Sequence, residues 1–260
     1  MAYLGNSLGI GSSAAAAAAG STAFNPLYTA YSVDFDGTDD YGSIPHNAAY
    51  NFGTGDFSVK ARVKFDDTNT NYFLVKDTYP GSGSSYTGFL LYAFSNKIRF
   101  QTRNRISGSG PITTCVALAN FSTDTWYDVV ATRISNELKL YINGVLQDTQ
   151  TESVATDIDN SKILAFGKIP LFSADTLNGH LTNIALWNSG LVQDEVTALY
   201  AGGDPTNPAQ NFGDYASSDD IVGNWLFTEN TGVTVADSSS NANDATLTNG
   251  PTWSSDVPSS

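Results

Sequence analysis

Trp126-Tyr127-Asp128-Val129-Val130 leads through Leu138-Lys139-Leu140-Tyr141-Ile142 into Asn143-Gly144 and Val145-Leu146. Two runs of alternating apolar residues are joined here by the dipeptide that best tolerates positive φ at both centres of a type I′ hairpin turn. The period of two sends one face of each run into a core. The same rhythm extends in both directions. Ser32–Phe35 and Tyr41–Ile44 flank the turn Asp36-Gly37-Thr38-Asp39-Asp40, and Phe57, Val59, Ala61, Val63 and Phe65 alternate with Ser58, Lys60, Arg62 and Lys64. Further strands are expected at 72–76, 88–94, 97–101 with a prolongation to 105, 112–118, 126–134, 137–142, 145–151, 162–167 and 180–187. Strands at this spacing, with polar turns between them, read as an antiparallel sandwich. One helix is expected at 191–200, where Leu191, Val192, Val196, Leu199 and Tyr200 precede the terminator Gly202-Gly203.

Composition agrees with an all-β chain. Among 260 residues, 14 Phe, 13 Tyr and 4 Trp stand beside abundant Gly, Ser, Thr, Asn and Asp, without the Ala-, Leu-, Glu- and Lys-rich periodic stretches of a helical bundle. Cys115 is the only cysteine, which excludes an internal disulfide and a thiolate metal site and reads as a small core residue. The net charge of −14 is uneven: residues 1–59 and 169–260 hold no Lys or Arg, and all 12 basic residues fall within 60–168. Such acidity argues against nucleic acid as a partner. No run approaches the ~20 apolar residues that cross a bilayer, so membrane insertion is not expected. Ala14–Ala19, without a basic n-region, does not make a conventional signal peptide.

Four regions follow from these patterns. Residues 1–30 form a low-complexity Gly/Ser/Ala arm, either a flexible tail or a docking arm. Residues 31–200 form the sandwich, 201–219 a linker by composition, and 220–260 an apolar block around Trp225, Phe227, Val235, Leu247 and Trp253 that needs burial.

Ser32-Val33-Asp34-Phe35-Asp36-Gly37-Thr38-Asp39-Asp40-Tyr41, Phe57–Lys64, the Trp126–Gly144 hairpin and Leu177–Trp187 resemble, in order, successive strands of laminin-G-like, concanavalin A-type jelly rolls. Gly223-Asn224-Trp225-Leu226-Phe227 and the loop 235–247 resemble the segment that usually opens such domains, although here it comes last. The resemblance therefore implies a jelly roll whose usual first strand segment is supplied from 221–250. A domain of this kind behind a Gly/Ser/Ala arm is similar to structural proteins of tailed-phage virions. That resemblance implies a non-enzymatic capsid-decoration or fibre-type component, located in virions assembled in the host cytoplasm. It would contact other virion proteins through 1–30, with a homo-oligomer as a further candidate. The alternative is a lectin-like module that binds carbohydrate in host or surface recognition. One fold hosts many functions, so the choice rests on the site.

Catalytic signals are sparse. Glycoside hydrolysis needs two carboxylates flanking one bond, yet Glu137, Glu152, Glu195 and Glu229 are scattered, and the pairs Asp34/Asp36 and Asp157/Asp159 abut turns. His46 and His180 stand in no nucleophile motif and no zinc-ligand spacing. No catalytic residue and no required cofactor is expected. Calcium is the candidate ion, because Asp36, Asp39 and Asp40 in one loop and Asp237, Asn241, Asn243 and Asp244 in another supply the oxygens it needs. The competing reading is Asx-turn bonding to the local backbone. Two basic stripes, Lys60/Arg62/Lys64 and Lys97/Arg99/Arg103/Arg105, are either solvated strand faces or an interaction surface for acidic protein segments or anionic glycans. Tyr79, Tyr86 and Tyr92 are candidates for stacking on sugars.

Overall fold

The computed structural model describes residues 31–78, 85–169 and 176–258. The arm at 1–30 and Tyr79 lie outside the described residues. In chain order the strands are β1 (Ser32–Asp36), β2 (Tyr41–Ile44), β3 (Phe57–Phe65), β4 (Asn71–Asp77), β5 (Tyr86–Phe94), β6 (Lys97–Arg105), β7 (Ile112–Val116) and β8 (Trp126–Ile134). They continue with β9 (Glu137–Ile142), β10 (Val145–Thr151), β11 (Leu164–Phe166), β12 (Asn178–Trp187), β13 (Ile221–Trp225), β14 (Thr234–Val235), β15 (Ala245–Thr248) and β16 (Thr252–Ser254). The helix α1 (Gln193–Tyr200) lies between β12 and β13.

Two eight-stranded sheets result. The first runs β10-β9-β8-β3-β12-β1-β16, with β13 also paired to β12, and the second runs β14-β15-β2-β11-β4-β5-β6-β7. All the registered pairs are antiparallel, as a jelly-roll sandwich requires. The hairpin between β9 and β10 has φ of 51° at Asn143 and 76° at Gly144, the type I′ signature. Ser95-Asn96 and Ser135-Asn136 close two further hairpins with positive φ at both residues and no glycine.

The core lies between the sheets. Val59, Ala61, Val63, Leu181, Val129 and Leu140 from one side meet Phe73, Phe89, Leu91, Phe100, Leu164 and Phe166 from the other, all fully buried. At about 1.5–3 kcal/mol for each large apolar side chain, this core supplies the main stabilisation. Gly42 has no side chain because Phe166 packs on it, and a Cβ there would sit 2.0 Å from the ring.

Residues after 220 enter both sheets. β13 pairs with β12, β15 with β2 and β16 with β1, while Trp225 and Phe227 are fully buried in the core. The stretch 201–219, linker-like in composition, is packed. Thr206 and Tyr215 are buried, and the Tyr215 hydroxyl accepts from Trp187 Nε1 at 2.8 Å and donates to the Pro208 carbonyl at 2.7 Å. With α1, this stretch covers the outer face of the first sheet. Val196, Leu199 and Tyr215 cluster there with Val130, Tyr141, Ala185 and Trp187. No helix among the described residues is long and apolar enough to cross a membrane.

Candidate functional site

The covered face decides the fate of the first basic stripe. Lys60, Arg62 and Lys64 alternate with core residues as expected, but they are 0%, 1% and 8% exposed, Arg62 lying against 200–204 and Lys64 against Asp256 of the C-terminal segment. Lys60 Nζ lies 2.8 Å from Asp128 Oδ2 and donates to Asn183 Oδ1 at 2.6 Å. Arg62 Nε reaches the same Asp128 oxygen at 2.6 Å, and its Nη atoms donate to the carbonyls of Tyr200, Gly203 and Asp204. Lys64 pairs with Asp256. The solvated-face and interaction-surface readings of these three residues are therefore corrected, because all three are buried and already paired, Lys60 within the sheet, Arg62 also to 200–204 and Lys64 to the C-terminal segment. Burial lowers the Lys60 pKa to about 8 despite Asp128. Burial also opposes ionisation of Asp128, but the two cations outweigh it and hold that carboxyl below its ordinary range. A small, partly open cavity of about 90 Å³ beside this network touches Arg62, Trp126, Tyr127 and Asp128.

The calcium loops also resolve into local bonding. The Asp237 carboxylate accepts from Asn224 N, Ser239 N, Ser239 Oγ and Asn243 N, all at 2.8–2.9 Å. Four donors fill the four lone-pair positions of a carboxylate, leaving none for an ion. Asp244 Oδ1 accepts from Asp237 N, Asn241 Nδ2 donates to Val222 O, and Asn243 Nδ2 donates to Pro45 O. These residues do not fit calcium as folded; they fasten the loop to β13. In the other loop, Asp36 Oδ1 accepts from Thr38 N and Asp40 Oδ2 from Asp36 N, while Asp39 is exposed. Burial, then the charges of Asp36, Asp39 and Asp34, raise the Asp40 pKa, although the Asp36 N–H opposes them.

The second basic stripe meets a different environment. On β6, Ile98, Phe100 and Thr102 face the core, so Lys97, Arg99, Gln101, Arg103 and Arg105 face outward. Register places these residues in transverse rows across four strands. Tyr72, Tyr92, Arg99 and Val116 form one row; Val75, Leu90, Gln101 and Thr114 the next; Asp77, Gly88, Arg103 and Ile112 a third. Tyr86 and Arg105 begin a fourth, and Phe94 faces Lys97 at the other end. Tyr72 and Tyr92 stack at 5.2 Å with planes 8° apart. Arg99 Cζ lies 5.1 Å from the Phe94 ring centre, and Arg103 Cζ 4.7 Å from that of Tyr86. Gly88 (φ 147°) leaves the third row open between Asp77 and Arg103, since a Cβ would meet the Lys76 carbonyl at 1.9 Å.

Polar groups tie the rows together. Gln101 Nε2 donates to Thr114 Oγ1 at 2.8 Å, and Arg103 Nε lies 2.5 Å from Asp77 Oδ2. Lys97 Nζ donates to the carbonyls of Ala117 and Leu118, and Arg105 Nη2 to that of Gly108. Among the described residues no carboxylate forms an ion pair with Lys97, Arg99 or Arg105, and Arg99 Nε has no acceptor. Phe94 is 48% exposed. Burial raises the Tyr92 pKa against the opposing pull of Arg99 and Arg103, so its hydroxyl keeps its proton at neutral pH. Ile169 packs over Val75, Leu90 and Tyr92 on this face, so the groups left for a ligand are the edge of Tyr72, the exposed Phe94 ring, the Gln101 amide and the Arg99 guanidinium, which can stack on saccharide rings and bond hydroxyls and carboxylates. Tyr72 escaped the sequence reading because its partner Tyr92 is set by cross-strand register, and Tyr86 and Tyr92 are half-buried or buried rather than freely exposed.

The four glutamates serve local structure. Glu152 accepts from Thr102 Oγ1, Glu195 closes the α1 capping box, Glu137 pairs with Lys139 and Glu229 accepts from Ala236 N.

A family profile for the concanavalin A-like lectin/glucanases superfamily matches residues 36–197, and the chain belongs to that superfamily. A search of curated protein sequences returns no match. Solved structures share the fold at low identity. A Bacteroides ovatus ATCC 8483 protein, described only as a candidate carbohydrate binder, superposes with a TM-score of 0.65 at 14% identity over 90% of this chain. The matched region spans 62% of that longer protein. The heptameric SAP-like pentraxin of Limulus polyphemus gives 0.56 at 14% identity, covering 87% of this chain and 95% of its own. The CBM40 module of the Ruminococcus gnavus IT-sialidase, bound to α2,3-sialyllactose, gives 0.52 at 16% identity, covering 70% of this chain and all of its own.

Proposed function

We propose that this chain is a non-catalytic carbohydrate-binding module that holds an acidic saccharide against the outer face of β4–β7. The observation that carries this reading is the set of rows in which Tyr72, Tyr92, Gln101 and Arg99 stand side by side, with Lys97, Arg99 and Arg105 paired to no carboxylate among the described residues. Carbohydrate-binding fold neighbours support it, one of them holding a sialylated sugar. The virion reading combines the jelly roll completed from 221–250 with an arm at 1–30, and that arm lies outside the described residues.

The test is a glycan array probed with the intact chain and with Arg99→Glu and Gln101→Ala variants. Sialylated, uronic or sulfated glycans should bind in preference to neutral ones, more weakly as salt rises. Removing one charge-assisted hydrogen bond of about 1.5–3 kcal/mol should weaken binding roughly 10- to 150-fold in the Arg99 variant. Equal binding by the wild type and the Arg99 variant, or retention of no acidic glycan, would refute the proposal.

A further inference from the structure

On the outer face of the first sheet, Asp34 of β1 is the register partner of His180 on β12, and His180 pairs on its other side with Lys64 of β3. Asp66 follows β3 directly. One ligand atom each from Asp34, Asp66 and His180 lies within 4.8 Å of the other two. His180 is 9% exposed, Asp34 half-buried and Asp66 exposed, so the cluster has a buried wall and an open side.

The hydrogen-bond chain behind His180 fixes its tautomer. Ser32 Oγ donates to the Asp256 carbonyl at 2.6 Å and stands 3.4 Å from His180 Nδ1. A hydroxyl has one proton, so Ser32 can only accept at the ring, which places the ring hydrogen on Nδ1. Nε2 then faces Asp34 Oδ1, 3.8 Å away, with Asp66 offering a third ligand atom. Three potential ligand atoms converge on one point, a nitrogen and two carboxylate oxygens that a divalent cation can bridge. The neighbouring ammonium of Lys64 is held at Asp256 Oδ2 and does not fill that place.

The geometry points to a zinc-class divalent ion bound by His180 Nε2 and one oxygen each from Asp34 and Asp66. Imidazole with carboxylates suits zinc, whereas calcium takes six to eight oxygens. Zinc bonds of about 2.0–2.2 Å set tetrahedral ligand atoms roughly 3.4 Å apart, so the 3.8 Å pair closes by a few tenths of an ångström. Asp66, exposed and bonded to Asn178 O through its backbone N–H, is free to turn its side chain inward. The fourth position faces solvent. Ser32 is the outer-shell partner that orients the imidazole. The ion would staple β1, β12 and the end of β3, independently of the glycan face on the other sheet.

Intact chain stripped with chelator is titrated calorimetrically with zinc at about pH 7.5, where an ordinary imidazole is neutral. Cobalt is titrated in parallel, its visible bands reporting nitrogen–oxygen ligation. One equivalent of zinc is expected, with a raised melting temperature and no comparable response to calcium. Asp66→Asn, which leaves the backbone bond intact, and His180→Gln should each abolish uptake. Ser32→Ala should weaken it roughly 10- to 100-fold. No stoichiometric uptake would overturn the site, and NMR detection of an Nε2 proton at that pH would identify a proton as the cation instead. Uptake unchanged in both the Asp66 and His180 variants would overturn it equally.

Discussion

Asp128 bridges two buried cations through one oxygen. Its Oδ2 lies 2.8 Å from Lys60 Nζ and 2.6 Å from Arg62 Nε, and neither cationic side chain is more than 1% exposed. Asp128→Asn removes the charge and keeps the volume, so the change isolates electrostatics from packing. Breaking a buried pair costs about 3–5 kcal/mol, chiefly because the surviving charge is stranded. Three carbonyls still hold the Arg62 guanidinium, and Asn183 Oδ1 still accepts from Lys60. The loss should therefore fall at the low end, about 3 kcal/mol, a large share of the ~5–15 kcal/mol typical of a domain. Burial already lowers the Lys60 pKa to about 8. Without Asp128 it falls further, and Lys60 escapes the penalty by shedding its proton. The measurement is urea unfolding at about pH 7 and about pH 9.5, with Lys60→Met in both backgrounds to complete a double-mutant cycle. The expected result is a loss of about 3 kcal/mol at the lower pH and less at the higher. Lys60→Met should recover part of the loss only in the Asp128→Asn background. A loss under ~1 kcal/mol, the size of a surface pair, or equal effects of Lys60→Met in both backgrounds, would refute the reasoning.

Stability should rise as pH goes from about 8 towards 10. Burial brings Lys60 and Lys76 to about 8 in the fold, against 10.5 ordinarily, so across that window the unfolded chain binds more protons than the native one. Above about 10 the trend should reverse, because burial raises the Tyr50 and Tyr215 hydroxyls and the native state keeps protons that the unfolded chain has lost. Unfolding midpoints that decline steadily from neutral pH would contradict this. Millimolar calcium should leave the melting temperature of chelator-treated protein unchanged, since four donors already saturate Asp237. A clear upward shift would show that this loop opens to ligate the ion.

Local signals carried most of the architecture. Asn143-Gly144 announced its hairpin because both residues accept positive φ cheaply, and the alternation on β3, β6 and β8 gave the strands their inward faces. Ser95-Asn96 and Ser135-Asn136 make the same kind of turn without advertising it, since serine usually avoids that region and only the flanking strands impose it. Period two tells which residues share a face but not what covers the face. Lys60/Arg62/Lys64 and Lys97/Arg99/Arg103 therefore look alike as sequence, yet the segment after α1 and the C-terminal stretch around Asp256 help bury the first set, while Arg99 on β6 stays half-exposed. The Tyr72–Tyr92 stack and the Asp34–Asp66–His180 cluster depend on cross-strand register between segments far apart in the chain, which no local pattern encodes.

The distribution of cations gives the second sheet its direction. Seven of the 12 basic residues are buried: Lys60, Arg62, Lys64, Lys76, Arg103, Arg133 and Lys168. Of the five that reach solvent, Lys139 is paired with Glu137 and Lys162 is exposed in the loop before β11, while Lys97, Arg99 and Arg105 share the outer face of β6. The molecule carries a net charge of −14, and among the described residues the β6 face is where accessible positive charge concentrates. A neutral sugar would gain nothing from that contrast. An acidic one would be turned away elsewhere and steered here, which makes orientation and on-rate, more than the final contact energy, the quantities this charge pattern controls.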